Sequence, residues 1–220
     1  MFKIVYYIMS PSKNEEVLMQ WSTKSDRLYA QKYKRQLRSR QSFLGRSLLR
    51  MAYAELTNSH PCDLVIDVIE SGALKLSDPF SERALFGSIS HSDDCICVIV
   101  GDESPVGIDV EHQKTERDIA TLLSAISSTD QYEYFSKHRE QAYCLWTLNE
   151  AYGKAMGTGL PIPIPSKIIE HSKTYRPQKT LYEHLSNTIF MTFEFDDYMV
   201  SICLSSCHDT ETRRGPAVLK

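Results

Sequence analysis

No stretch of the 220 residues approaches the ~20 uncharged apolar residues that a membrane-spanning helix needs. The apolar opening, Met1 to Met9, is too short for that role and lacks a basic lead-in and a small-residue cleavage site, so it reads as a first strand rather than a secretion signal. None of the six cysteines (Cys62, Cys95, Cys97, Cys144, Cys203, Cys207) falls in a Cys-x-x-Cys pair. Cys203-x3-Cys207-His208 has a faintly metal-like spacing but finds no second ligand pair, which leaves reduced thiols packed as small hydrophobes. Repeats and low-complexity tracts are missing too. The formal charge is only −3 with 42% apolar residues, which excludes a self-repelling disordered chain. These absences point to a soluble, cytoplasmic, globular protein without a membrane partner. Its length suits one large domain or two of about 110 residues.

Charge is unevenly spread. Between Lys24 and Arg50 nine Lys/Arg stand against one acid, Asp26, for a local +8, while the remaining 16 basic and 27 acidic residues sum to −11. Such a segment fits either a solvated helix face or an anionic partner such as a phosphate, a nucleic acid or an acidic protein.

Val-, Ile-, Phe-, Tyr- and Cys-rich runs predict strands near 2–8, 62–70, 95–101, 105–111, 188–195 and 198–204. Tight turns at Gly101–Ser104 and Asp196–Asp197 would join the last four as two hairpins. Apolar residues at steps of three and four predict one long helix over 26–57, a second over 137–156 ended by Gly157, and a shorter one over 115–126. Alternate prolines make 160–165 extended, and 208–220 reads as a flexible tail. The expected fold is α+β in two similar halves, 1–105 and 106–207.

Three segments carry candidate chemistry. In Val106-Gly107-Ile108-Asp109-Val110-Glu111, strand alternation puts both carboxylates on one side and Ile108 and Val110 on the other. Paired acids of this kind suit a hard divalent cation such as Mg2+, or equally an exposed edge. In Trp146-Thr147-Leu148-Asn149-Glu150-Ala151-Tyr152-Gly153-Lys154, helical spacing aligns Trp146, Glu150 and Lys154. Gly153 costs about 1 kcal/mol relative to Ala there and marks a close approach to the backbone. Ile89-Ser90-His91-Ser92, ahead of the strand at 95, reads as a turn with a surface histidine or as a phosphate cradle.

In this order the three segments closely resemble the 4′-phosphopantetheinyl transferases, in their larger, monomeric, surfactin-synthetase-activating branch. The resemblance runs from about Arg38 to Leu160. It implies two similar α+β halves with coenzyme A in the cleft between them. It further implies Mg2+ on Asp109, Glu111 and Glu150, and transfer of the phosphopantetheine arm to a serine of an apo acyl or peptidyl carrier protein, releasing adenosine 3′,5′-bisphosphate. Glu150 would act as base, Lys154 would steady the diphosphate, and Ser42 and His91 would lie by the adenosine 3′-phosphate. No nucleic-acid partner is expected.

Three departures stand out. Asn149 replaces a Lys usual before the helix glutamate, and losing that charge would cost one to two orders of magnitude if it is uncompensated. The usual Gly-Lys-Pro is missing, with Lys75 as the substitute. Gly87-Ser88-Ile89 stands where Phe-Asn-Leu is common. A catalytically weakened homologue that only binds coenzyme A or a carrier protein is the alternative.

Overall fold

The computed structural model describes residues 2–9, 15–81, 84–102, 104–114, 118–124, 126–127, 129–159, 183–185 and 188–205. The expected extended segment 160–165, Cys207 and the tail 208–220 lie outside these residues. Among the described residues, no helix is long and apolar enough to cross a membrane.

Two antiparallel sheets form. The first contains β1 (Phe2–Ile8), β2 (Val65–Val68), β3 (Leu74–Ser77), β4 (Leu85–Ser92) and β5 (Cys95–Asp102) in the order β1-β5-β4-β3-β2. The second contains β6 (Val106–His112), β7 (Glu183–Leu185), β8 (Thr188–Phe195) and β9 (Tyr198–Ser205) in the order β6-β9-β8-β7. The helices are α1 (Glu15–Met19), α2 (Lys24–Ala30), α3 (Gln36–Thr57), α4 (Ile119–Ser124), α5 (Thr129–Phe135) and α6 (Arg139–Met156).

Side-chain alternation sets the layers. On β5, Ile96, Val98 and Val100 pack with Leu44, Leu48 and Leu49 of α3, whereas Cys95, Cys97 and Ile99 face the second sheet. On β9, Val200, Ile202 and Leu204 face the first sheet, while Met199 and Cys203 pack with Tyr143, Leu148 and Ala151 of α6. The order is therefore α3, first sheet, second sheet, α6. A strand buried on both faces has no polar alternation, which is why 95–100 reads as a continuous apolar run. Five cysteines (Cys62, Cys95, Cys97, Cys144 and Cys203) are free thiols, four of them buried.

Several sequence expectations change. The strands at 95 and 106 do not form a hairpin, because β5 pairs with β1 and β4 while β6 pairs with β9. The chain instead passes from one sheet to the other between β5 and β6. The stretch 62–70 contains a 3-10 turn (Pro61–Asp63) before the four-residue β2. Strands β3, β4 and β7 were not anticipated. The hairpin at Asp196–Asp197 and the end of α6 at Gly157, whose φ of 68° is left-handed, form as expected.

The helix expected over 26–57 is two helices. Asp26 on α2 accepts bonds from Arg46 Nε and Arg50 Nε, both at 2.7 Å. In one continuous helix those partners would lie about 30 Å away. Arg50 also donates to the Pro61 and Leu64 carbonyls and to Thr23 Oγ1. A buried acid flanked by two guanidiniums folds α2 back on α3, and the bonds to both arginines hold the Asp26 carboxyl down at about 2 against its burial. Two of the nine basic residues in the +8 segment thus serve the interior.

Candidate active site

Where the helix layers α2, α3 and α6 overhang β4, a cavity of about 340 Å³ opens. Tyr29, Tyr33, Arg38, Ser42 and Arg46 line it from the first half, and Glu150, Gly153 and Lys154 from α6. Its floor includes Gly87, Ser88, Ile89 and His91 of β4, and the Ser71–Leu74 turn borders it. Of the expected site residues, Ser42, His91, Glu150 and Lys154 therefore share one cleft.

Gly107 allows α6 to reach the strand beneath. A Cβ there would sit 1.8 Å from the Ala151 carbonyl oxygen, so only glycine permits this crossing. With the helix so close, the strand face opposite Ile108 and Val110 meets the stripe of α6. Lys154 Nζ donates to Asp109 Oδ1 (2.7 Å), Ser90 Oγ (3.0 Å) and the Ile108 carbonyl (3.1 Å). Trp146 Nε1 donates to Glu111 Oε1 at 3.2 Å. The backbone approach marked by Gly153 is that of Gly159, whose carbonyl oxygen would lie 2.8 Å from a Cβ.

The cluster is short of positive charge. Asp109 is 5% exposed, and its Oδ2 is buried with no hydrogen-bond partner. Burial pushes the Asp109 carboxyl above the ordinary carboxylate range; Lys154 pulls it back and Glu111 raises it again. Burial likewise raises Glu150, to which the Asp109 charge adds while Lys154 opposes. Lys154 is ion-paired with Asp109, and its charge also acts on Glu150. Among the described residues no three His, Cys, Asp or Glu side chains stand close enough together to enclose an ion as they are. The donor set nevertheless consists of hard carboxylate oxygens, one of them orphaned, and this fits a divalent cation of the Mg2+ type.

His91 also lines the cleft, with its Nδ1 3.0 Å from Arg38 Nη1. An arginine only donates, so Nδ1 accepts and the ring proton is on Nε2. Burial, then the charges of Arg38 and Lys154, push the His91 pKa down to about 4, leaving a neutral imidazole with an N–H donor. Arg38 also lies over the Tyr33 ring (5.2 Å), and Arg46 over Tyr29 (4.5 Å). Arg38 and the two tyrosines escaped the sequence reading, although the mixture of aromatic and basic residues over 27–46 was visible.

Two expectations look different in place. Ser90 and Ser92 form no turn before a strand, since β4 continues to residue 92 and alternation turns both hydroxyls away from His91 toward β6. Lys75 is exposed on β3 and does not line the cleft; Leu74 beside it does, and adjacent strand residues face opposite ways. Asn149 is 1% exposed, absent from the cleft lining, with Nδ2 3.4 Å from the Leu145 carbonyl and Oδ1 unpartnered.

The sequence from 105 to 203 matches the model of the 4′-phosphopantetheinyl transferase superfamily. The chain is similar to the 4′-phosphopantetheinyl transferase ffp of Bacillus subtilis, at 26% identity over 90% of this chain and 89% of that one. It is also similar to the 4′-phosphopantetheinyl transferase gsp of Aneurinibacillus migulanus, at 28% identity over 74% and 67%. HetI of Nostoc, named as the same activity, is 27% identical over 53% of this chain and 51% of its own.

Proposed function

We propose that the chain is a member of the 4′-phosphopantetheinyl transferase superfamily, whose model it matches over 105–203, and that its cleft binds coenzyme A and passes the 4′-phosphopantetheine arm to a serine of an apo carrier protein. The observation that carries this reading is one cleft that holds donors suited to phosphate together with Glu150 and the Asp109-bound Lys154. Arg38, Ser42 and the His91 Nε2–H offer donors for phosphate. Glu150 and Lys154 line the same cleft, and Lys154 links it to Asp109 of the neighbouring acid pair.

In the transfer the carrier serine oxygen attacks the phosphorus next to the pantetheine arm. A new O–P bond forms as the bond to the bridging oxygen breaks, and adenosine 3′,5′-bisphosphate leaves with that electron pair. Glu150 takes the serine proton, and its raised pKa makes it a stronger base than an ordinary carboxylate. Lys154 turns from Asp109 toward the diphosphate and balances its charge. Asp109, Glu111 and Glu150 would hold Mg2+, which when bound offsets the negative charge on the diphosphate and the departing group. Asn149 is packed inside and not in the cleft, so its uncharged side chain leaves the diphosphate contacts to Lys154. The lining of the cleft comes from one chain, so a monomer suffices.

The test is mass spectrometry of apo carrier proteins from fatty-acid, polyketide and peptide synthesis, incubated with coenzyme A and Mg2+ and again with chelator. The expected result is a phosphopantetheine mass shift on at least one carrier, abolished by chelator. No shift on any carrier, with coenzyme A binding intact in calorimetry, would replace this reading by that of a binding module.

A further inference from the structure

β6 is the outer strand of the second sheet, so the amide N–H groups of Ile108, Val110 and His112 that face away from β9 have no strand to meet. They meet a row of serines instead. Ser88 Oγ accepts from Ile108 N–H (3.3 Å), Ser90 Oγ from Val110 N–H (3.3 Å) and Ser92 Oγ from His112 N–H (3.1 Å). Three hydroxyls two residues apart on β4 match three amides two residues apart on β6, because both strands repeat at about 6.8 Å.

A hydroxyl has one proton and two lone pairs. Having accepted an amide N–H, each serine aims its proton elsewhere on β6. Ser90 donates to Asp109 Oδ1 at 2.7 Å and Ser92 to Glu111 Oε2 at 2.8 Å. The second lone pair of Ser90 takes the Lys154 ammonium at 3.0 Å. Glu111 is then gripped from both sides, by Ser92 on one oxygen and the Trp146 indole on the other. Beside Ser88 the corresponding position is Gly107, which has no side chain to hold.

We propose that Ser90 and Ser92 are positioning residues. Through them the first half of the chain orients the acid pair of the second, whereas Ser88 closes the sheet edge beside Gly107 and holds no acid. The inference rests on the reading of Asp109 and Glu111 as functional acids. It also explains why a polar Ser-x-Ser-x-Ser strand is buried between two sheets: the hydroxyls replace strand pairing and leave a proton for each carboxylate.

The experiment compares Ser88→Ala, Ser90→Ala, Ser92→Ala and Ser92→Thr in the full chain. Three readouts are used: melting temperature, the ¹⁵N–¹H resonance of the Trp146 indole (identified with Trp21→Phe), and Mn2+ affinity by electron paramagnetic resonance. All three alanine variants are expected to lower the melting temperature similarly. Only Ser92→Ala is expected to move the indole resonance, and Ser92→Thr to restore it. Ser90→Ala and Ser92→Ala should each weaken Mn2+ binding at least tenfold, with Ser88→Ala unchanged. If Ser90→Ala and Ser92→Ala match Ser88→Ala in both the resonance and the affinity, the proposal is overturned. Should the wild-type chain bind no Mn2+ while Ser92→Ala alone moves the indole resonance, the positioning role is supported and the metal reading fails.

Discussion

Each half of the molecule buries a cluster of carboxylate and cation, and the two are balanced in opposite ways. Around Asp26 one acid meets two guanidiniums, and each carboxylate oxygen has arginine donors. Around Asp109 the ammonium of Lys154 meets one carboxylate oxygen, Glu111 and Glu150 add negative charge, and the other Asp109 oxygen is buried without a partner. The Asp26 carboxyl is held down at about 2, whereas those of Asp109 and Glu150 are raised. The first cluster is complete in itself and serves the fold, whereas the second leaves a buried Asp109 oxygen unpartnered, which is what the proposed ligand site would use. The second is mismatched in the isolated chain, a cost that a site bears when its partner is a ligand.

Exchanging one carboxylate for an amide in each cluster separates the two roles. Asp109→Asn is expected to lower carrier-protein transfer about 10⁴-fold, about 5.5 kcal/mol of transition-state stabilisation. Its melting temperature should stay level or rise, because a partly unsatisfied buried charge is removed. Retention of transfer within tenfold would take Asp109 out of the site. Asp26→Asn should do the reverse and cost about 3 to 5 kcal/mol of stability, since two buried guanidiniums lose their counter-charge. Chemical denaturation measures that loss; a value under 1 kcal/mol would show that the cluster does not pin α2 to α3.

The same contrast explains which parts were legible in the sequence. Asp109, Glu111, Glu150 and Lys154 are spaced by local periodicities, two for a strand and four for a helix, so their faces could be read without a fold. The Asp26 partners lie 20 and 24 residues away, and only a lone acid in a basic run hinted at them. Strands β3 and β4 were missed for a related reason. Ser88, Ser90 and Ser92 alternate as an exposed strand would, yet what they face is another strand rather than water. The neighbour that makes a polar alternation a buried strand is supplied by the second sheet, about 20 residues on. The expected hairpin between the strands at 95 and 106 does not form, because a short connection serves equally well to pass between sheets.

Acid should weaken the first cluster on its own. The Asp26 carboxyl titrates at about 2 when folded, below its ordinary 3.8, so the folded state resists protonation. The stability it contributes is fully present above about pH 4 and is lost as the pH falls toward 2. That contribution is about 2 kcal/mol at 1.36 kcal/mol per pH unit. The stability difference between wild type and Asp26→Asn should therefore shrink by about 2 kcal/mol between pH 5 and pH 2. A difference constant over that range would show that the arginines do not act on the ionised form. Raised carboxyls have the opposite sign, so protonating Asp109 and Glu150 favours the fold even as it disables the site.

The smallest effects test whether charge alone or placement defines the anion-binding donors. Arg38 and Lys75 each carry one positive charge on the first half, but only Arg38 lines the cleft, bonded to His91 Nδ1. Arg38→Ala should raise the KM for coenzyme A about tenfold, as expected for a lost charge-assisted bond of about 1.5 kcal/mol. It should also let the His91 pKa rise, since the guanidinium is one cause of its depression. Lys75→Ala, on the opposite face of β3, should leave KM within twofold. Equal effects from the two would mean that coenzyme A responds to the diffuse field of the basic segment. Unequal effects in the expected order would mean that strand alternation at Leu74–Lys75 decides which cation the phosphate meets.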